Sequence, residues 1–296
     1  PTLDLSGSAI GGDGHGTFSG STSNGAGGVS FVNATGPWNV TAINNALGGH
    51  GGKVELGGSA SGGRGGDATA TTTAFLLGGG SGATASATAY GGLGGSASGH
   101  GHRGGDGGSA QARAVAGGSS VFSTVTASAW GGHGGDGFDG AHGGDGADAT
   151  LTDAVSGAAS HSLSFHQYAT GGGGGQSTSG SAGKGGAARS SLDVADLRAA
   201  TTVVTLGASA GAGGFTSTGD AGHGGDAHAS TTAKALDALV VNVYSTAGTG
   251  GEARSFGGSG QTGIGGTATA FAEGSTVGNA SVEIYALAIT GGGGDA

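Results

Sequence analysis

Gly131-Gly132-His133-Gly134-Gly135-Asp136-Gly137, followed after residues 138–142 by Gly143-Gly144-Asp145-Gly146, is the stretch that decides the fold. Gly-Gly-x recurs there with a period of three, the period of the extended left-handed helix of polyproline and collagen. Gly lets such strands approach closely, because a Cβ would otherwise stand between the backbones. Outside this stretch the period changes. Ala alternates with a second residue at Ala68-Thr69-Ala70-Thr71, Ala110-Gln111-Ala112-Arg113-Ala114, Ala227-His228-Ala229-Ser230 and Ala268-Thr269-Ala270-Phe271-Ala272. Period two is the signature of a strand.

Both patterns repeat along the chain. The first Gly of an x-Gly-Gly-Asp-type marker falls at Gly65, Gly104, Gly143, Gly185, Gly224 and Gly265, at spacings of 39, 39, 42, 39 and 41. A second Gly marker stands at Gly48, Gly91, Gly131 and Gly171 and, with slippage, near Gly207, Gly248 and Gly291. Each unit reads as an Ala-alternating strand, a break such as Gly78-Gly79-Gly80, a second strand and about twenty Gly-rich residues. The second strands, at 121–130, 163–170, 239–244 and 282–290, are richer in β-branched and aromatic residues. Two strands around a Gly break predict a hairpin. The predicted fold is all-β: a stack of ~40-residue repeats whose β-hairpins pack on a layer of Gly-rich polyglycine-II-type extended helices. Residues 1–47 read as an N-terminal segment with an irregular first hairpin at 29–47 and a donor strand, and 48–296 as a six-repeat Gly-rich β stack.

Composition agrees with this reading. Gly supplies 78 of 296 residues, aromatic residues 5% and charged residues 9%. There are too few large apolar side chains for a conventional core and too few charges for a disordered chain. Such a stack is held by backbone pairing between layers and by close contact of small inward residues. One repeat alone is expected to be unfolded, so the stack is cooperative. Cys is absent, which excludes disulfides and thiolate metal sites. A net charge of −10 with nine Lys and Arg and no basic run argues against nucleic acid or an anionic membrane as partner. Ala238-Leu239-Val240-Val241, the best apolar run, stops far short of the ~18 residues of a membrane helix, so no transmembrane segment is expected. Met is absent and the chain opens on Pro1, which predicts removal of an initiator Met or of an export signal. The composition favours a secreted, extracellular or cell-surface location.

Aligning the markers turns positions into columns. Arg64, Arg103, His142, Lys184, His223 and Ile264 precede the Gly pair, and Asp67, Asp106, Asp145, Ala187, Asp226 and Thr267 follow it. At period three the two columns share a face and predict a ladder of opposite charges. Residues 134–142 and 143–151 resemble the calcium-binding β-roll nonapeptide Gly-Gly-x-Gly-x-Asp-x-U-x. That resemblance makes Asp136, Asp139, Asp145 and Asp148 candidate oxygen ligands for calcium; no other cofactor is expected. His50, His133 and His223 sit in Gly-Gly-His-Gly-Gly, but their column neighbours do not complete a metal shell. No Gly-x-Ser-x-Gly elbow lies between a predicted strand and helix, and no catalytic residues are expected. Asn33, Asn39 and Asn279 open glycosylation sequons.

The ends carry a further expectation. Leu3 and Leu5 alternate with Thr2, Asp4 and Ser6 in a strand with no partner in its own hairpin series. At the other end, Ile284, Leu287 and Ile289 lie in the most apolar strand of the chain, which needs a cover. The opening segment of one subunit is therefore expected to pair with the closing region of the next, a head-to-tail contact that does not close and yields a homopolymer. Pairing of both ends within one chain is the alternative.

The alternation of Gly-Gly-x-Gly-Gly with Ala-x-Ala-x-Ala over residues 48–294 resembles the Gly/Ala/Thr-rich repeats of large secreted bacterial surface and matrix proteins. It is also similar to the Gly-rich tail-fibre adhesins of phages and the Gly-rich antifreeze proteins of springtails. The first resemblance implies a structural subunit of an extracellular fibre or matrix. The second implies an adhesin whose loops between Gly strands, at 137–141 and 177–184, bind glycans or a cell surface. The third implies ice binding, which needs a uniform array of Thr. The outward columns read Thr69, Gln111, Asp148, Ala188, His228, Thr269 and Thr71, Arg113, Thr150, Ser190, Ser230, Phe271, and charge interrupts both.

Overall fold

The Ala-alternating runs and the apolar runs form strands, most of nine residues, and the Gly-rich segments between them are extended, carrying only two short strand pairs, Thr17–Ser19 with Val54–Ser59 and Ala97–Ser98 with Gly137–Phe138. The computed structural model describes residues 2–78, 80–254 and 260–295; Pro1 and Gly79 of the predicted break lie outside them. Two large parallel sheets result. The first has eight strands, in the order Thr2–Ile10, Asn39–Leu47, Gly82–Tyr90, Phe122–Trp130, Ser162–Thr170, Thr201–Ser209, Ala238–Thr246 and Val282–Ile289. The second stacks Gly28–Gly36, Ala68–Leu76, Ala110–Gly118, a broken level made of Ala149–Thr152 and Val155–Gly157, then Ala188–Asp196, Ala227–Ala235 and Ala268–Thr276. The chain is a β-solenoid of about seven turns, each about forty residues long.

The two strands of a unit do not form a hairpin. Ala68–Leu76 lies in the second sheet and Gly82–Tyr90 in the first, and each pairs with its equivalent one turn away. Side-by-side pairing would set both Ala faces in one plane with nothing to cover them. Crossing between sheets sets them face to face. Ala85, Ala87, Ala127, Ala70, Ala74 and Ala114 are fully buried in that seam. Parallel pairing also stacks like on like, so one column of small residues keeps the sheets close over the whole stack. Larger residues enter the same core mainly in the later turns: Leu163, Leu206, Leu239, Val241 and Val243 of the first sheet share it with Leu192 and Val194 of the second.

The Gly-rich segments extend the two sides of each turn beyond the sheets. Their hydrogen bonds have the predicted period of three. The Gly131 N–H donates to Thr170 O of the next turn in its own column, and Gly132 N–H to Gly108 O in the opposite column; Gly134 and Gly135 repeat this with Gly173 O and Gly105 O. The bonds to the opposite column join into a zigzag: Gly132 to Gly108, Gly108 to Gly92, Gly92 to Gly66, Gly66 to Gly49, Gly49 to Ala26 and Ala26 to Gly12. Gly is required here for approach, since neither Gly132 nor Gly135 has a positive φ. A Cβ on Gly132 would overlap the Gly92 carbonyl, and one on Gly135 the Gly95 carbonyl.

The second sheet is interrupted at one level. Asp153, at φ 47°, separates Ala149–Thr152 from Val155–Gly157. Gln167, buried in the facing strand, covers the break: its Oε1 accepts from Ala154 N–H at 2.9 Å, and its Nε2 donates to Ser191 O at 3.0 Å and Leu151 O at 3.2 Å.

Candidate functional site

Two features of the sequence invite a functional reading: the polar columns of the Gly layer and the ends of the stack. In each Gly-Gly-x triplet two N–H groups are bonded to neighbouring backbones, and the third, on residue x, points outward. A side chain one turn below reaches it. Asp145 Oδ1 accepts from Lys184 N–H at 2.7 Å, Asp148 from Ala187 at 2.7 Å, Asp136 from Gln176 at 2.9 Å and Asp226 from Thr267 at 2.7 Å. His does the same through Nδ1: His50 accepts from Leu93 at 3.1 Å, His133 from Gly173 at 2.8 Å and His223 from Ile264 at 2.9 Å. Asn24 serves Arg64 in the same way, at 2.9 Å. Asp, Asn and His share an acceptor two bonds beyond Cβ, which is why these residue types recur at x. The sequence reading saw the columns but not this role, whose signal was the exchange of Asp for His at one position of the triplet.

The register of those columns slips by one triplet from the predicted one at two steps, between Arg64 and Arg103 and between His142 and Lys184, while Arg103 with His142 and Lys184 with His223 and Ile264 stack as predicted. Gly65 N–H donates to Asp106 O, Gly107 to Asp145 O and Gly146 to Lys184 O, so Arg64 stacks with Asp106, Asp145 and Lys184 rather than with Arg103. Opposite charges still meet, at 2.8 Å for Arg64–Asp67, 3.2 Å for Arg103–Asp106 and 2.7 Å for Arg103–Asp145. These pairs are about half exposed and contribute little singly. Burial pushes the Asp67 carboxyl up, but hydrogen bonds from the Arg64 guanidinium and from the Ser109 N–H and hydroxyl outweigh it and hold the group below the ordinary value. The N–H and hydroxyl of Thr267 hold Asp226 down in the same way.

The four calcium candidates are not brought together. Asp136, Asp145 and Asp148 each serve a different N–H, and Asp139, at φ 52°, accepts from Ser98 Oγ at 2.8 Å. Among the described residues no three His, Asp or Glu converge. Asn33 and Asn279 are exposed, whereas Asn39 Oδ1 accepts from the N–H groups of Ser81 and Gly82. The outward face of the second sheet also shifts against the prediction: Thr150 pairs with Arg189, Arg189 with His228 and His228 with Thr269, so Arg189 takes the place assigned to Ala188, while Asp148 lies in the Gly layer. No helix among the described residues is long and apolar enough to cross a membrane.

The ends of the stack are open. Thr2–Ile10 is not partnerless, because it pairs in parallel with Asn39–Leu47 of its own chain. Among the described residues its other edge is unpaired, as is the far edge of Val282–Ile289, and both belong to the first sheet. Leu3 and Leu5 register with buried Val40 and Ala42, and Ile284 with buried Val241. All three therefore point into the sandwich, yet they are 39%, 42% and 46% exposed, since the second sheet has no further described strand there to cover them. Leu287 and Ile289 point outward, in register with Tyr244 and Thr246.

Comparison of the chain with protein-family models, with curated proteins and with solved structures gave no match.

Proposed function

We propose that the chain is the structural subunit of a secreted extracellular fibre or matrix, assembling head to tail through its terminal strands. The observation that carries this reading is that both ends present a free parallel edge of the same sheet, backed by apolar side chains left uncovered. Unpaired edges of this kind template further pairing. A copy added in register continues the first sheet, with Val282–Ile289 of one subunit beside Thr2–Ile10 of the next. The second sheet ends half a turn short at both ends, so the first sheet carries the contact. In that register Glu283 falls beside Asp4 of the next copy, and like charges in directly opposed positions oppose pairing. Assembly is therefore expected to be favoured by Glu283→Gln.

Proline at a free-edge N–H tests the reading, since an edge strand tolerates it and the ring blocks an incoming strand. Gly11 N–H donates to Leu47 O, so by alternation the N–H groups of Asp4, Ser6 and Ser8 face the open edge. Leu239 N–H donates to Ser281 O, and Ala286 shares its orientation by register. Ser6→Pro and Ala286→Pro should each abolish filaments in negative-stain electron microscopy while leaving circular dichroism unchanged. Filaments of normal length from both variants would sink the proposal.

A second reading, an adhesin for glycans or a cell surface, draws on the outer face of the first sheet. Tyr90 and Trp130 stack there at 5.9 Å between ring centroids, and Tyr244 and Tyr285 lie 5.6 Å apart. Monomers that bind a glycan array without forming filaments would favour it.

A further inference from the structure

We infer that the broken level of the second sheet builds a binding groove for an elongated apolar molecule carrying one carboxylate. A solenoid repeats its surface at every turn, so a place where the repeat fails is where a single ligand site can arise. Three local features coincide there. The sheet is interrupted at Asp153, and its regular strand ends at Gly157. Gly117, in register with Phe75, sets no side chain on the outward face, and a Cβ added to it would come within 3.3 Å of Ala158 N. Gly118, at the end of the strand, takes a left-handed φ of 96° that bends the chain there. Together they sink the face into a groove of about 560 Å³.

The walls give the ligand class. Phe75 and Leu77 stand at one end, 42% and 63% exposed, and Val115 continues the apolar side. Gly117 and Ala158 form the floor, and Arg198 closes the other end. Among the described residues no carboxylate lies within ion-pair distance of the Arg198 guanidinium. In a chain of net charge −10, an unpaired cation at the end of an apolar groove is a local attractor for an anion. From the strand of Phe75 to the turn of Arg198 is three strand steps, roughly 14 Å at about 4.8 Å each. That length and polarity match a medium-chain fatty carboxylate lying along the stack axis, its tail on Phe75 and Leu77 and its head on Arg198.

The test is calorimetric titration of the intact protein with decanoate, decanol and decyltrimethylammonium, below their micellar limits. Decanoate should bind best, with one site per chain. Arg198→Gln should weaken decanoate roughly tenfold, the scale of one charge-assisted hydrogen bond, and leave decanol unchanged. Phe75→Ser, at an exposed position that the core does not need, should weaken both. Three results overturn the inference: no decanoate binding to the wild-type chain, equal binding of all three amphiphiles, or decanoate binding that neither substitution changes. Because the groove lies on the side of the stack, this outcome is independent of whether filaments form.

Discussion

Replacing Gly135 by Ala tests the reason for the glycine content. The added Cβ would lie 2.5 Å from the Gly95 carbonyl carbon and 2.9 Å from Gly94 O, with Gly95 O closer still. Ordinary contact begins at 3.4 Å, so clearing the carbonyl carbon alone parts the two extended segments by about 0.9 Å, and clearing the nearer Gly95 O parts them further. The bond from Gly94 N–H to His133 O, now 2.8 Å, joins the same two segments and would stretch to at least about 3.7 Å, outside hydrogen-bond range. Losing two such bonds at about 1 kcal/mol each, with about 1–3 kcal/mol of overpacking strain, gives roughly 3–5 kcal/mol. The lower chain entropy of unfolded Ala returns about 0.4–1 kcal/mol. The net loss, near 3 kcal/mol, corresponds to a melting point lower by about 6–12 °C for a chain of this size. Gly12→Ala is the control. Its added Cβ meets nothing within 4 Å, because Gly12 lies in the first Gly segment of the stack. It should be neutral or stabilising by up to about 1 kcal/mol. Thermal denaturation of both variants by circular dichroism decides. Equal effects at the two positions would refute the close-approach argument.

Three further outcomes follow from the polar groups. Asp226→Ala removes the acceptor of the Thr267 N–H and hydroxyl and should cost about 1 kcal/mol, with Asp226→Asn retaining most of it, as measured by urea unfolding. Gln167→Leu leaves Ala154 N–H and the carbonyls of Leu151 and Ser191 unpaired in the core and should cost about 2–4 kcal/mol, far more than a surface Gln of the same size. Acid should lower stability in two pH windows. Burial holds the His166 imidazole below 6.5, so its contribution is complete above that pH and is lost as pH falls through the depressed folded value. Asp67 and Asp226 lie below 3.8, so their contribution persists to about that pH and disappears beneath it. Stability that rises on acidification from pH 7 to pH 3 would contradict these signs.

The repeat, its length and the two periods were legible because each has a direct physical cause: Gly every time two backbones touch, and Ala every second residue where two sheets face. The crossing between sheets was not. A Gly break between two strands looks the same whether the chain returns beside itself or passes across a core, and only the need to cover both Ala faces distinguishes the two. The slip of the charge columns has a similar origin. Gly-Gly-x-Gly-Gly-x maps onto itself when shifted by three, so Gly104 and Gly143 matched Gly65 as well as Gly107 and Gly146 did. The Ala run fixes the register, since Ala68, Ala110, Ala149 and Ala188 share one column. Three of the aspartates read as calcium ligands, Asp136, Asp145 and Asp148, are acceptors for a backbone donor that exists only after the turns are stacked. The groove beside Arg198 was invisible for the opposite reason, because it arises where the repeat lapses and no pattern marks it.

Amide hydrogen exchange, resolved by residue in the Gly segments, bears most directly on the fold. The N–H groups of Gly92, Gly95, Gly132 and Gly135 should exchange as slowly as those of the Ala strands, since they are bonded across the zigzag. Those of Lys184 and Thr267 should be protected until Asp145 and Asp226 are replaced by Ala. Glycine amides that exchange at the rate of an unstructured peptide, beside protected strands, would show that the sheets stand without the Gly layer and that the account is wrong.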